Sequence, residues 1–326
     1  MISVCDQCQL VVMEVGAQAT TPISFVIAYS GGLDSHVLLH AMSELKKNNP
    51  IIKIQAVHIN HQINSKANDW ELHCKKICAE LNIPIAIQKV NLNLKPGDSL
   101  EENARNARYT ALQKYVDKDS VLLTAHNAND QAETFLLQAL RGAGPKGLSA
   151  MPFKKKLGNS FLIRPLLHFS RDALEKYARE NKLQWIEDDS NVSLRFRRNF
   201  LRHEIFPLLK KQYPTLINNF SRSARLITNQ EKIISEIVKS DFEKIKTDDI
   251  TKIDIKKLRE FSDEKQKLLL REWFSENNLR MPNEKHLKQI QKDVLNAASD
   301  AHPIFSLENI SIQRDRDYLF LTAHLR

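Results

Sequence analysis

The sequence is poor in cysteine, with only Cys5, Cys8, Cys74 and Cys78 among 326 residues. That excludes a disulfide framework for a chain of this length. Cys5-x-x-Cys8 has metal-ligand spacing, but no second such pair exists. Cys74 and Cys78 lie one helical turn apart, so a four-thiolate site would need the extreme N-terminus to fold onto that helix; buried thiols are the simpler reading. No apolar run approaches the roughly 20 residues that a membrane helix needs, so no membrane contact is expected. The first 22 residues carry Asp6 and Glu14 and lack a basic start with a long apolar core, which makes a poor secretion signal. These absences together point to a cytoplasmic protein. Internal repeats and low-complexity tracts are also missing. Acidic residues are the minority charge: 39 Asp and Glu stand against 48 Lys and Arg, a net +9. That balance suits a polyanionic partner and, equally, a well-solvated basic surface.

The length suits about two domains. Apolar, β-rich runs recur at 23–29, 52–60, 83–90 and 120–126, with helical patterns over 36–47, 66–82, 100–117 and 130–141 between and after them. Strands alternating with helices read as an α/β fold, a parallel sheet of about five strands with helices on both faces. Continuous apolar runs suit strands buried on both sides. Ser99 with Glu102 reads as a capping box for the helix over 100–117, and Ser170 as the cap of a helix over 170–182. Ligands of such sheets sit outside the carboxyl ends of the strands. The polar clusters Ser30 to Ser35, His58 to His61 and His126 to Asp130 fall there. A Gly/Pro-rich loop over 141–152 follows, then Lys154 to Lys156, expected as a solvated loop able to touch nucleic-acid phosphates. Beyond Pro214 the chain reads as mostly helical and Lys-rich to about residue 300, closing with strand-like pieces at 309–315 and 318–324. The spacing predicts a leader of unknown role over 1–22, a catalytic domain over 23–214 and a second, mostly helical domain over 215–326.

Ser30-Gly31-Gly32-Leu33-Asp34-Ser35 joins the first strand to the first helix of the sheet. Two consecutive glycines permit a tight turn and close approach of backbone to a ligand. The free N–H groups at the helix start form an anion site, and two serine hydroxyls add donors. The loop is neither a Walker A loop, because no Gly-Lys-Ser/Thr follows, nor a Rossmann fingerprint, because the third glycine is absent. Asp34 beside a phosphate would be repulsive unless a cation bridges them, which argues for Mg²⁺ held jointly by Asp34 and phosphate oxygens. Farther on, Asp130 and Glu133 share one face at the start of a helix. The pair could hold an amine or a metal, or could simply compensate the helix dipole.

The SGGLDS run resembles the phosphate loop of the PP-loop ATP pyrophosphatase superfamily, whose members transfer AMP from ATP to a substrate oxygen. With VHINH (57–61), EENARNARY (101–109), TAHNANDQAET (124–134), RGAGPKGL (141–148), RPLL (164–167) and DDSNVSLRFRRNFLR (188–202) in order, the chain resembles the tRNA(Ile)-lysidine synthetase family. The likeness is close over roughly 23–211. It implies adenylation of O2 of the wobble cytidine in a CAU-anticodon tRNA(Ile), then attack of the lysine ε-amine at C2 with release of AMP. It implies that Ser30, Gly31, Gly32, Leu33, Asp34 and Ser35 cradle the ATP phosphates and Mg²⁺, with Arg105 and His126 also at ATP. Asp130 and Glu133 would bind L-lysine and, with Asp34 and Arg198, carry catalysis. Arg108, Arg198, Asn199 and Arg202 would face the tRNA or the intermediate, with plain surface basicity nearly as good a reading for Arg202. The helical region after 215 would bind tRNA, and a homodimer is an expectation of the same kind.

Two departures stand out. Where the family usually shows two histidines and two aspartates, this chain reads His126-Asn127-Ala128-Asn129-Asp130, so no metal is assigned to position 129. The chain also stops after what reads as the first C-terminal domain, whereas long family members carry another. Two other readings stay open here: a PP-loop tRNA thiolase, which would need catalytic cysteines or an iron–sulfur cluster, and a non-catalytic tRNA-binding protein.

Overall fold

The structure, a computed structural model, describes residues 3–16, 24–62, 66–91, 100–187, 197–298, 301–307 and 310–323. The chain forms two compact units, Met1–Thr228 and Asn229–Arg326. The division falls inside one long helix, Leu216–Ile245, whose first turns lie close to the expected boundary at 214–215.

The first unit is built on a six-stranded sheet. Its strands are β1 (Ser24–Ala28), β2 (Lys53–Asn60), β3 (Ile85–Lys89), β4 (Ser120–Leu123), β5 (Lys154–Leu157) and β6 (Ser160–Ile163), in the order β3-β2-β1-β4-β6-β5. All neighbours are parallel except the β5–β6 pair. Helices α2 (Leu33–Asn48), α3 (Ala67–Glu80), α4 (Leu100–Gln113) and α5 (Ala128–Ala139) follow the first four strands in turn. Side chains of successive strand residues point to opposite faces, so a continuous apolar run feeds two cores. Phe25 and Ile27 enter one core with Ile54, Ala56 and Leu123. Val26, between them, enters the other with Val57, Leu112 and Leu122. The fold class read from the sequence is therefore present, with six strands where about five were expected.

Three details go beyond that reading. Residues 4–16 of the expected leader form helix α1 (Val4–Gly16). Val4, Cys8 and Val11, on one face of it, are buried in the core that holds α2. The cysteines are all free; burial pushes the thiols of Cys8 and Cys74 up and that of Cys78 up to about 12. No metal-holding group of His, Cys, Asp or Glu occurs among the described residues, so the four-thiolate site is not formed. Lys154 to Lys156 are not a loop but lie on β5, the edge strand. Lysines on an edge strand discourage pairing with a further strand. Lys154 lies 3.5 Å from Glu14 and 4.6 Å from the centroid of the Phe161 ring.

Helices α6 (Pro145–Leu148), α7 (Arg171–Glu180), α8 (Arg197–Phe200) and α9 (Phe206–Gln212) complete this part of the chain before α10 (Leu216–Ile245), with one π-helical turn over Leu201–Ile205 between α8 and α9. The Ser170 hydroxyl accepts from Ala173 N–H at 3.2 Å and caps α7 as expected. The Ser99 cap and residues 188–196 of the DDSNVSLRF segment lie outside the described residues.

The second unit has its own core. Phe242, Ile245, Leu269, Trp273, Phe274 and Ile290 pack against a four-stranded antiparallel sheet of β7 (Lys252–Asp254), β8 (Ile304–Leu307), β9 (Ile310–Asp315) and β10 (Tyr318–Ala323). The strand-like pieces at the chain's end are β9 and β10. Trp273 donates its indole N–H to the Ile250 carbonyl at 3.0 Å, which satisfies the one polar atom of the largest fully buried side chain. Among the described residues no helix is long and apolar enough to cross a membrane.

Candidate active site

The sheet order reverses between β1 and β4: the chain runs from β1 outward through β2 and β3, then returns to lay β4 on the other side of β1. The carboxyl ends of β1 and β4 thus border the crevice in which open α/β sheets take their ligands. The SGGLDS loop leaves β1 at that point, and His126 to Glu133 leave β4 there.

The loop is held open by its own polar groups. Ser35 Oγ donates to the Gly32 carbonyl at 3.0 Å, lies 3.0 Å from Ser30 Oγ, and accepts from Ser30 N–H at 3.2 Å. Gly31 sits at φ +85° with its carbonyl accepting from Ile186 N–H at 3.0 Å. A Cβ there would stand 3.0 Å from Cys74 Sγ and 3.2 Å from Ile186 Cδ1, so glycine is required by the fold. Gly32 is different: its φ is −77°, and a Cβ would meet nothing closer than 3.6 Å. Among the described residues nothing demands glycine at position 32, and the space beside it is open to close approach of a ligand. Gly32 is also the N-cap of α2 and provides no side-chain cap. The amide donors at the start of α2 therefore face the crevice without a resident acceptor from the cap. Leu33, the first helical residue, is buried and anchors the loop to the core.

Asp34 lies in the first turn of α2. Its Oδ1 is buried without a hydrogen-bond partner, and its Oδ2 is 3.7 Å from Arg171 Nη1. Burial, reinforced by the nearby charge of Asp130, pushes its carboxyl up to about 6, with Arg171, a hydrogen bond from the Asn127 side chain and Arg202 pulling the other way. Asp34 and Asp130, 96 positions apart in sequence, are thus brought together by the fold.

The α5 start explains the two asparagines. Asn127 is its N-cap: the side-chain carbonyl accepts from Asn129 N–H at 2.9 Å and Asp130 N–H at 3.1 Å. Asp130 returns the bond, its Oδ2 accepting from Asn127 N–H at 3.0 Å, which completes a capping box. Asn129 accepts from Arg171 N–H at 3.0 Å and so ties α5 to α7. Both partner backbone N–H groups, and the Asn127 side chain also hydrogen-bonds the Asp34 carboxyl. Glu133, one turn on, is buried to 1% side-chain exposure and takes a bidentate pair from Arg202, Nε to Oε1 at 2.7 Å and Nη2 to Oε2 at 3.0 Å. Arg202 Nη2 also reaches Asp130 Oδ1 at 3.4 Å. Burial pushes the Glu133 carboxyl up while Arg202 opposes it.

A basic wall completes the crevice. His126 Nδ1 is 2.9 Å from Thr124 Oγ1. Burial first, then the charges of Arg164, Arg108, Arg105 and Arg198, hold its imidazole well below the usual histidine range, so the ring is neutral. Arg105 and Arg108 lie 5.1 Å and 5.6 Å from the centroid of the Tyr109 ring. Arg198 Nη2 donates to Thr134 Oγ1 at 3.4 Å, and Asn199 beside it is buried.

The sequence-predicted residues Ser30 to Ser35, Arg105, Arg108, His126, Asp130, Glu133, Arg198 and Arg202 thus converge on one end of the sheet. Arg202 turns inward to the two carboxylates. His58, from the expected polar cluster, sits within β2 with Nδ1 3.0 Å from the Tyr29 carbonyl and supports the loop from below. Sequence reasoning missed Arg171 and Arg164. Arg164 is 2% exposed and donates to the Pro152 carbonyl at 2.6 Å. It opens the RPLL motif, and a lone arginine ending an apolar strand was a signal available to reading. Arg171 gave none, standing on a polar helix face.

The family model of the PP-loop domain matches residues 7–209, and that of the TilS substrate binding domain matches residues 253–320. A Coxiella burnetii protein named tRNA(Ile)-lysidine synthase is 49% identical over 306 residues, 94% of this chain and 68% of that protein. Proteins of the same name from Actinobacillus succinogenes and Haemophilus influenzae are each 40% identical, covering 92% and 94% of this chain and 70% and 71% of their own lengths. Among solved structures, the U34-tRNA thiolase NcsA from Methanococcus maripaludis, with its [4Fe-4S] cluster, superposes with a TM-score of 0.55 at 20% identity, over 69% of this chain and 80% of that one. That likeness shows a shared fold.

Proposed function

Because the chain belongs to the tRNA(Ile)-lysidine synthase family, we propose that it joins free L-lysine to C2 of the wobble cytidine of a CAU-anticodon tRNA(Ile). It is an ATP-using ligase that acts on tRNA. In the first step O2 of the cytidine attacks the α-phosphorus of ATP and pyrophosphate leaves. In the second, the neutral ε-amine of lysine attacks C2, the C2–O2 bond breaks, and AMP departs with that oxygen. An amide-like oxygen is a poor leaving group and AMP a good one, which is the reason to spend ATP.

The residues divide along those steps. Ser30, Gly32, Ser35 and the first amides of α2 receive the phosphates. Asp34 would hold Mg²⁺, which when bound neutralises phosphate charge. The fit is supported by its buried, unpartnered Oδ1, an oxygen that lacks a resident cation within hydrogen-bond distance. The basic wall of Arg105, Arg108 and Arg198 faces the anionic intermediate, with neutral His126 available as a hydrogen-bond partner and adding no charge of its own. The lysine amine goes to Asp130 and Glu133. Its place is on Asp130, where the Arg202 contact is the long one at 3.4 Å, while Glu133 keeps Arg202 in its bidentate pair.

The observation that carries this reading is the meeting of the phosphate loop with the Asp130–Glu133 carboxylates at one crevice, since ligation of an amine through an adenylate needs both in reach of one another. The thiolase reading has only a shared fold behind it; Cys8, Cys74 and Cys78 are buried with raised thiol pKa values, the reverse of a reactive cysteine. The test is transfer of labelled lysine to tRNA(Ile) in the presence of ATP and Mg²⁺. Incorporation that disappears in Asp34→Ala is expected; incorporation that survives it would remove Asp34 from the reaction.

A further inference from the structure

We propose that Arg171 is a phosphate-binding residue of the ATP site, contributed by α7 rather than by the glycine loop. The inference rests on the ATP-dependent reading above and adds to the glycine loop a cation that residues 30–35 do not supply. Residues 30–35 contain no lysine or arginine, and Asp34 makes the loop more negative. Backbone amides and hydroxyls alone would have to receive a polyanion beside a carboxylate. Among the described residues Arg171 is the basic side chain within ion-pair distance of that carboxylate, 3.7 Å from Asp34 Oδ2.

Its attachment is unusual in a way that suits the role. The root of the residue is fixed: its backbone N–H donates to Asn129 Oδ1 at 3.0 Å, and Ser170 before it caps the helix. The helix start that carries Asp130 therefore also sets where Arg171 begins. The tip is loosely held. Nη1 stands 3.7 Å from Asp34, Nε stands 3.4 Å from Glu175 Oε1, and 40% of the side chain is exposed. Both contacts are longer than the roughly 2.7–2.9 Å of a charge-assisted hydrogen bond. Arg202, the other arginine acting on Asp34, is the contrast: it is locked at 2.7 Å and 3.0 Å on the buried Glu133. Moving Arg202 would strand a buried carboxylate, which is costly. Moving Arg171 costs less at Glu175, which is 36% exposed so that water can replace the guanidinium, and it frees Asp34, held only at 3.7 Å, for a metal ion that arrives with the phosphates. A fixed root, a loose tip and a position beside the phosphate loop allow Arg171 to turn from Asp34 to a phosphate oxygen when ATP enters, leaving the carboxylate to a metal ion. A guanidinium can give two parallel donors to such an oxygen pair, where lysine offers a point charge.

The test is equilibrium binding of ATP, and separately of inorganic pyrophosphate, to the full chain by calorimetry with Mg²⁺ present and tRNA and lysine absent. Arg171→Gln is expected to weaken both ligands by on the order of tenfold or more, the size of a lost charged hydrogen bond. Arg171→Lys should recover part of that loss, with an unchanged thermal midpoint in both variants. Unaltered or tightened ATP binding in Arg171→Gln would overturn the proposal while leaving the ATP-dependent reading in place. Failure of the unaltered chain to bind ATP at all would overturn both together.

Discussion

At the residue scale, Asp34 shows how the site trades stability for function. Its carboxyl titrates near 6 in the fold against about 3.8 for a free aspartate. The native chain therefore holds a proton that the unfolded chain has released between about pH 4 and pH 6. Stability falls as pH rises through that window, and above it the charged carboxylate costs at most about 3 kcal/mol. The 24% exposure of the side chain reduces this to about half through solvent screening. Asp34→Asn should accordingly stabilise the ligand-free protein by about 1–2 kcal/mol at pH 7.5, lose the pH dependence in that window, and abolish lysine transfer. Urea unfolding of both proteins at pH 5 and pH 7.5 checks it; an Asp34→Asn protein less stable than its parent at pH 7.5 would show that the carboxylate is compensated. The two loop glycines make the same division visible, Gly31 being needed by the backbone and Gly32 by nothing among the described residues.

At the element scale, α5 carries the most meaning per residue. Its capping box fixes Asp130 by one oxygen and leaves the other toward Arg202. Asn127→Ala should cost about 1 kcal/mol of stability, as lost caps do, and should raise the KM for lysine more than that for ATP. Asn127→Ser, which restores a capping oxygen, should recover most of both; denaturant midpoints and steady-state kinetics on the pair decide it, and loss of stability with an unchanged lysine KM would detach the cap from the amine site. Elements of this kind were largely legible. The first four strands, the helices that follow them, the SGGLDS turn and the Ser170 cap all announce themselves through local pattern. What was not legible depends on distant pairing. Arg171 meets Asp34 across 137 positions, and Arg202 meets Glu133 across 69. Neither has a local signature, so Arg202 read as facing the tRNA or the intermediate, or as surface basicity, and not as the partner of Glu133. The lysines of β5 read as a loop because an edge strand exposes its side chains, and α1 was overlooked because its buried face is only Val4, Cys8 and Val11.

At the scale of the whole molecule, two units with separate cores share one chain with a net charge of +9. The first holds the crevice with its phosphate loop and carboxylates; the second matches a substrate-binding family. A basic chain of this kind gathers tRNA through phosphate contacts that carry no sequence information, so selection of the right tRNA must be added by contacts to bases or shape. Lysine transfer itself is read by nucleoside mass analysis of a CAU-anticodon tRNA(Ile) after incubation of the full chain with ATP, Mg²⁺ and lysine. The wobble cytidine should be replaced by a nucleoside heavier by one lysine less one water, and omitting ATP should prevent it. A wobble cytidine left unmodified, or one carrying sulfur in place of lysine, would contradict lysine transfer.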